Sequence, residues 1–300
     1  MSVAAIETPQ LARTEWQERR AQLVRSPSFL IGLGIVAFWV LCALFGQLLV
    51  PYDPLAVDVI NSIAPPDATH WFGTDQLGRD VFSRVITGSR DILLVAPLAT
   101  LISTVIGTAL GLTMGYFGGL ADDILSRLVD AFLALPTVII ALLTLVALQS
   151  SDNVVIQLLA HSSSASVILV IGFTFAPIIA RTVRASVLTE RELDYVAAAQ
   201  LRRENSFYIL FAEILPNILP PIMVETTIRL GYAIFTVATL SFIGFGIQPP
   251  SPDWGLTVSE NYGLIGGGYW WTVLFDGLAI ASLVVGVNLM ADGLQGALDA

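Results

Sequence analysis

Three hundred residues with a mean hydropathy of +0.77, 55% hydrophobic and only 13% charged, are too apolar for a soluble domain of this size, so the chain reads as an all-α polytopic membrane protein. The net charge of -10, with no basic patch outside short loops, excludes a nucleic-acid binder, and a chain without a single lysine cannot carry a GxxxxGK[ST] phosphate loop and be its own ATPase by that route. There is no HExxH, CxxC or GxSxG, so neither a metal site nor a catalytic residue is expected; His70 and His161 read as solvated loop residues, and Cys42 as a small packed or membrane-facing one.

Residues 1–28 hold Arg13, Arg19, Arg20, Arg25 and Trp16, too long and polar a stretch for the start of an ordinary signal peptide, and Phe29 to Val50 is long enough to span. A retained first helix with a cytoplasmic N-terminus is expected, making 1–50 the first segment. Residues 51–91 are rich in Pro and Asp (Pro51, Asp53, Pro54, Asp58, Pro65, Pro66, Asp67) and form an extracytoplasmic segment that closes with HWFGTDQLGRDVFSRVITGSR. There Gly73 and Gly78 bracket a turn, Asp80 caps a helix, and Val81 with Val85 and Phe82 with Ile86 predict a short helix on the membrane surface.

A five-helix core, 92–300, follows. Its first span, Ile92 to Tyr116, carries Gly107, Gly111 and Gly115 at four-residue spacing, which lets another helix approach closely. A short loop, Phe117 to Asp130, holds Arg127, Asp122, Asp123 and Asp130; the next span, Ala131 to Gln149, is broken near Pro136. After an arginine-free connection, Ser151 to Ala165, the fourth span covers Ser166 to Ala180 around Pro177.

Arg181 to Asn217 is then a polar island with five of the fourteen arginines. It predicts two short amphipathic helices: Leu193, Tyr195, Val196 and Ala199 share the apolar face of one, and Phe207, Leu210, Phe211 and Ile214 that of the other. Asn205 and Ser206 supply a turn and N-cap, and Pro216 ends the second helix. The fifth span, Ile218 to Gly246, starts with Pro220 and Pro221 and ends LSFIGFGIQPPSPDWG. In the connection Ile247 to Trp271, Trp254, Tyr262, Tyr269, Trp270 and Trp271 suit an interfacial belt, and Thr272 to Met290 is the sixth span. Six spans with the N-terminus inside put ten arginines on one side and only Arg79, Arg84 and Arg90 on the other, so the island is expected to be cytoplasmic.

Arg229 is the one basic residue within a span. Twelve residues from Asn217 place it ~18 Å along a helix, near the bilayer midplane. A charge there costs at least ~2.5 kcal/mol unless paired or wet. Glu225 precedes it by four residues, the favourable order for a pair on one face, with Thr226 beside it. Two readings stand: the pair faces a translocation cavity and offers opposite charges to a zwitterionic or polar solute, or it is a structural pair at a subunit interface. Asn288 and Asp292 in the last span carry the same two readings.

The island resembles the cytoplasmic EAA loop of ABC-importer permease subunits. The match falls on Asp194, Tyr195, Ala198 and Ala199, then on Ile209, Ile214, Leu215, Pro216 and Asn217, with the family's spacing and no gap. Ala197 stands where the signature has glutamate, and Arg203 where it has the turn glycine. An arginine in left-handed geometry costs roughly 1 to 2 kcal/mol, so the turn is expected at Asn205. The blocks from His70 onward, LSFIGFGIQPPSPDWG, and NLMADGLQGALDA resemble the C-type permeases of peptide and nickel importers.

The resemblance implies a type I ABC-importer permease fold and a non-catalytic transport subunit of the cell membrane. It implies dipeptides or oligopeptides as cargo, with nickel or another small polar solute as the alternative. It implies a second permease as heterodimer partner, two cytoplasmic ATPases that bind ATP and Mg, an extracytoplasmic solute-binding protein and surrounding lipid, with no cofactor in this chain. The ATPase contact would be a hydrophobic knob with a charged rim, drawn from Arg191, Asp194, Tyr195, Val196, Ala198, Ala199, Arg202, Arg203, Glu213 and Pro216. A secondary transporter would show inverted repeats and buried acids on several spans, and an intramembrane enzyme a histidine or nucleophile at membrane depth. Few charges and no histidine lie within the spans.

Overall fold

A computed structural model describes residues 22–150 and 162–298. His161 and most of the Ser151 to Ala165 connection lie outside the described residues, as do Arg13, Arg19 and Arg20. The helices are α1 (Pro27–Leu49), α2 (Val81–Phe117), α3 (Gly119–Leu133), α4 (Thr137–Gln149), α5 (Ser163–Glu190), α6 (Asp194–Leu201), α7 (Ser206–Tyr208), α8 (Leu215–Ile243), α9 (Trp254–Asn261) and α10 (Trp271–Leu298). A π-helical segment, Ile209–Ile214, joins α7 to α8. Five runs are long and apolar enough to cross a membrane: α1, α2, α5, the α7 to α8 run and α10. The pair α3 and α4, bent by 98°, makes a sixth when counted as one. Helices satisfy their backbone polar groups internally, which is what apolar runs of this length require in a bilayer.

The centre of the bundle is α2 against α5, and glycine makes that approach possible. A Cβ on Gly107 would lie 2.7 Å from Ile179 Cβ, one on Gly111 2.5 Å from Val183 Cβ, and one on Gly115 2.6 Å from Val187 Cβ. Small residues also seat α1 on α10: Gly32 meets the backbone of Gly286 and Met290, and Gly293 meets Phe29. The Trp39 indole N–H donates to Ser282 Oγ at 2.9 Å across the same seam.

Several boundaries differ from the sequence expectation. The short surface helix and the second span are one helix, α2, begun by Asp80, whose Oδ2 accepts from Ser83 N–H at 2.8 Å. Its first turns pack into the chain itself, with Val81, Arg84, Val85, Thr87 and Ser89 all buried, so they do not form a separate surface helix. The expected loop Phe117 to Asp130 is mostly the amphipathic helix α3. The following span breaks at Pro136, leaving an α4 of thirteen residues, roughly 20 Å, short of a bilayer core by itself. The fourth span runs on to Glu190, so Arg181 and Arg184 stand on α5, not in a loop. Arg184 reaches Asp122 of α3 through two bonds of 2.6 Å, and Arg181 reaches Asp130 at 3.1 Å. Pro216 does not end the second helix of the island. It sits in the first turn of α8, where a missing N–H is tolerated, and the wider π turn before it absorbs the register.

Of the aromatics read as an interfacial belt, Tyr262, Tyr269 and Trp270 are exposed, but Trp254 and Trp271 are core residues. Trp254 donates to Val85 O at 2.8 Å and packs edge-on against Trp39 at 4.8 Å. It lies near this end of the bundle, where a buried ionic network also ties residues 51–80 to the helices. Arg79 bonds Asp75 at 2.6 Å and Glu260 at 2.5 Å. Arg84, with no exposed surface, bonds Thr257 Oγ1 at 2.8 Å and lies 3.4 Å from Glu260 and 3.8 Å from Asp75. His70 is no solvated loop residue: its Nδ1 lies 2.8 Å from buried Asp80.

Candidate functional site

The polar island forms a compact ledge at the end of the bundle away from that network. The helix α6 is only eight residues long, too short to be stable alone, and it is held by burial. Val196 and Ala199, each 0% exposed, pack with Val187, Ile209, Ile214 and Leu112 in one apolar cluster. This corrects the expectation that both belong to an outward knob: they anchor α6 to its own chain. What α6 leaves exposed is Asp194, Ala197, Ala198, Gln200 and Leu201, the last 85% exposed.

The turn after α6 is made by Arg203, not Asn205. Arg203 has φ +59°, its N–H donates to Gln200 O at 2.9 Å, and Glu204 N–H donates to Ala199 O at 3.2 Å. Those two bonds are the Schellman pattern, which demands a left-handed residue at the first position beyond the cap. The helix geometry therefore overrides the residue's own preference. Asn205 is extended instead and caps α7, its Oδ1 accepting from Tyr208 N–H at 2.7 Å.

The second amphipathic face is also divided differently. Ile209, Leu210 and Ile214 are buried, while Phe207 and Phe211 are exposed with near-parallel rings 6.5 Å apart. A regular helix would place Phe207, Leu210, Phe211 and Ile214 together, but the π segment widens the turn and splits them. Leu201, Phe207 and Phe211 are large exposed apolar groups of the ledge that the sequence did not place in the expected ATPase contact, Phe207 and Phe211 being expected on one apolar helix face with Leu210 and Ile214. For Leu201 the cue was present: it falls one turn past Ala197 and Ala198 on the face opposite Val196.

The charged residues are fixed to different degrees. Tyr195 O–H donates to Glu190 Oε2 at 2.6 Å, and burial first, then this acceptor, pushes the phenol up to about 12. Arg191 donates to Gly115 O at 2.8 Å, pinning the end of α5 to the end of α2, and to Glu192 at 3.1 Å. Arg202 pairs with Glu213 at 3.1 Å and lies 3.7 Å from Glu204. Arg203 and Pro216 are exposed.

Within the apolar run of α8, Arg229 Nε donates to Glu225 Oε1 at 2.6 Å, with the two side chains 18% and 14% exposed. The guanidinium carbon stands 4.9 Å from the centre of the Tyr232 ring, a second source of stabilisation for the cation. Thr226 does not join this pair; its Oγ1 meets Thr104 Oγ1 at 3.0 Å and ties α8 to α2. Asn288 packs against α8, its Oδ1 2.6 Å from where a Cβ on Gly231 would stand, and Asp292 is exposed.

Comparison with known proteins is consistent along the chain. The family model described as the binding-protein-dependent transport system inner membrane component matches residues 107–300, and that of the N-terminal TM domain of oligopeptide transport permease C matches residues 14–66. The chain is 36% identical over 288 residues to the dipeptide transport system permease protein DppC of Alkalihalophilus pseudofirmus, covering 96% of this chain and 90% of that protein. It is 36% identical to the probable D,D-dipeptide transport system permease protein DdpC of Escherichia coli, over 91% of this chain and 88% of that one. The glutathione transport system permease protein GsiD of Pectobacterium atrosepticum is 35% identical, over 96% and 91%. Among solved structures, an inward-facing form of the MetNI methionine ABC transporter aligns with a TM-score of 0.51 at 20% identity, over 70% of this chain and 96% of that chain, and so shares the fold. With its glycine-packed bundle, its ledge between α5 and α8 and these matches from end to end, the chain belongs to the inner-membrane components of binding-protein-dependent transport systems, the non-catalytic permease subunits of ABC importers.

Proposed function

We propose that this chain, with a second permease of similar fold, forms the path by which dipeptides or oligopeptides cross the membrane, and that the ledge between α5 and α8 couples that path to two cytoplasmic ATPases. The observation that carries the coupling role is α6 itself. It is a short helix locked to the bundle through Val196 and Ala199 yet presenting Ala197, Ala198 and Leu201 outward, with Asp194, Arg202 and Arg203 around them. Exposed apolar side chains ringed by charge are what a docking partner buries. Because Arg191 and Arg184 bind α6's neighbour α5 to α2 and α3, a push on the ledge is delivered to the spans as a rigid movement.

In this reading the N-terminus and ledge are cytoplasmic, residues 51–80 lie outside where a solute-binding protein delivers cargo, and ATP with Mg is held by the partner ATPases alone. Nucleotide shifts a bistable bundle between inward- and outward-facing states. The cargo class is supported by the relatives named for dipeptides and glutathione. A pull-down from membranes tests the coupling surface. An ATPase subunit should co-purify with the tagged native chain and be lost with an Ala198→Asp, Leu201→Arg double variant, both exposed positions that the fold does not need. Equal recovery of the ATPase with both proteins overturns the assignment.

A further inference from the structure

At the end of the bundle opposite the ledge, α1, α2 and the chain Pro51 to Leu55 enclose a half-open cavity of about 720 Å³. Its walls are of two kinds. Cys42, Ala43 and Gly46 of α1 form an apolar side, and their neighbours Leu44 and Leu48 belong to the exposed apolar surface of the span. The other side carries Asp53, Arg90 and Asp91. Both carboxylates are held in place: Asp91 Oδ2 accepts from Ser251 Oγ at 2.5 Å, and Asp53 Oδ1 from Leu55 N–H at 2.9 Å. Arg90 is not. Among the described residues its guanidinium has no acceptor and no carboxylate within 4.0 Å.

The cavity also sits where two spans leave the hydrocarbon. No charged residue occurs from Pro27 to Tyr52 or from Ile92 to Phe117, so Asp53, Arg90 and Asp91 are the first charges met at this end of α1 and α2. An unpaired cation and two fixed carboxylates beside an apolar wall, at a membrane boundary, complement a ligand bearing a phosphate, an ammonium and an acyl chain. We propose that the cavity seats the headgroup of a zwitterionic phospholipid, its phosphate on Arg90, its ammonium toward Asp53 and Asp91, and an acyl chain along α1 past Leu44. The site needs only that α1 and α2 span the bilayer, whichever side this end faces.

The test is photo-crosslinking of the full chain, with its co-purifying subunits, in bilayers containing a photoactivatable phosphatidylethanolamine, and mapping of adducts by peptide mass spectrometry. Adducts should concentrate on residues 42–55 and 87–91. Arg90→Gln should lower them roughly tenfold, the worth of one charge-assisted bond to phosphate. Ala43→Phe, which fills the apolar side without changing charge, should lower them as well, and Arg127→Gln at the far end should not. Adducts spread evenly over all spans, or unchanged in both cavity variants, overturn the proposal. So does displacement by equal concentrations of soluble glycerophosphoethanolamine, which would mark a water-borne phosphate ligand. Labelling of the isolated chain that vanishes in the assembled importer would make the cavity a subunit interface and overturns it too.

Discussion

Asp253 shows how one buried residue sets a pH dependence. It is buried and caps α9, its Oδ1 accepting from Leu256 N–H at 2.9 Å, and burial pushes the carboxyl up to about 6. At this carboxyl the folded chain therefore holds a proton that the unfolded chain has released between about pH 4 and pH 6, so the contribution of Asp253 to stability falls as pH rises through that window and levels above it. Asp253→Asn keeps an oxygen for the cap and removes the titration. Its apparent Tm in detergent should change less between pH 4.5 and 7 than that of the native chain, and a native-sized change would assign the slope to another group. Arg203 teaches the complementary lesson. Its left-handed backbone contradicts its intrinsic preference and is imposed by the bonds to Gln200 and Ala199, which the residue type could not announce. The pair Glu225 and Arg229, by contrast, was legible, because i,i+4 spacing on a helix fixes the distance whatever the fold.

For single helices, the apolar runs were readable because a bilayer demands them, and their spacing of glycines foretold a close contact without naming the partner. The partner is α5, and the fit leaves no room for a methyl group. Gly111→Val would set its Cβ 2.5 Å from Val183 Cβ and 2.7 Å from Ala180 O. Overpacking of this kind costs about 3 kcal/mol. The variant should show a markedly lower apparent Tm and reduced membrane accumulation, and Val183→Gly in the same chain, which removes the clashing Cβ, should restore part of it; a Gly111→Val protein as stable as the native one would mean the helices are not this close. Boundaries were less legible than runs. The joining of the surface helix to α2, the helical character of α3 and the passage of the chain through Pro216 all depend on what covers each segment, and hydropathy does not record that.

For the whole molecule, the question is whether Glu225 and Arg229 meet the cargo. Their partial exposure on α8, with Tyr232 against the guanidinium, leaves them accessible from outside this subunit. Arg229→Leu should assemble with the other subunits yet lower peptide uptake in proteoliposomes at least about tenfold, the loss of one charged contact to substrate. Uptake at the native rate and selectivity would make the pair a structural one. The sequence by itself determined the membrane class, the number and order of apolar runs, the lack of an internal phosphate loop and the place of the ledge, because each follows from local composition or from spacing along one helix. Only the tertiary structure decided that Val196 and Ala199 face inward while Leu201, Phe207 and Phe211 face out. It also decided that Trp254, Trp271, His70 and Arg84 are interior residues and that Arg90, without an ion-pair partner among the described residues, borders a cavity. Those facts depend on which segments pack together from distant parts of the chain, and burial is a property of that packing, not of the residue.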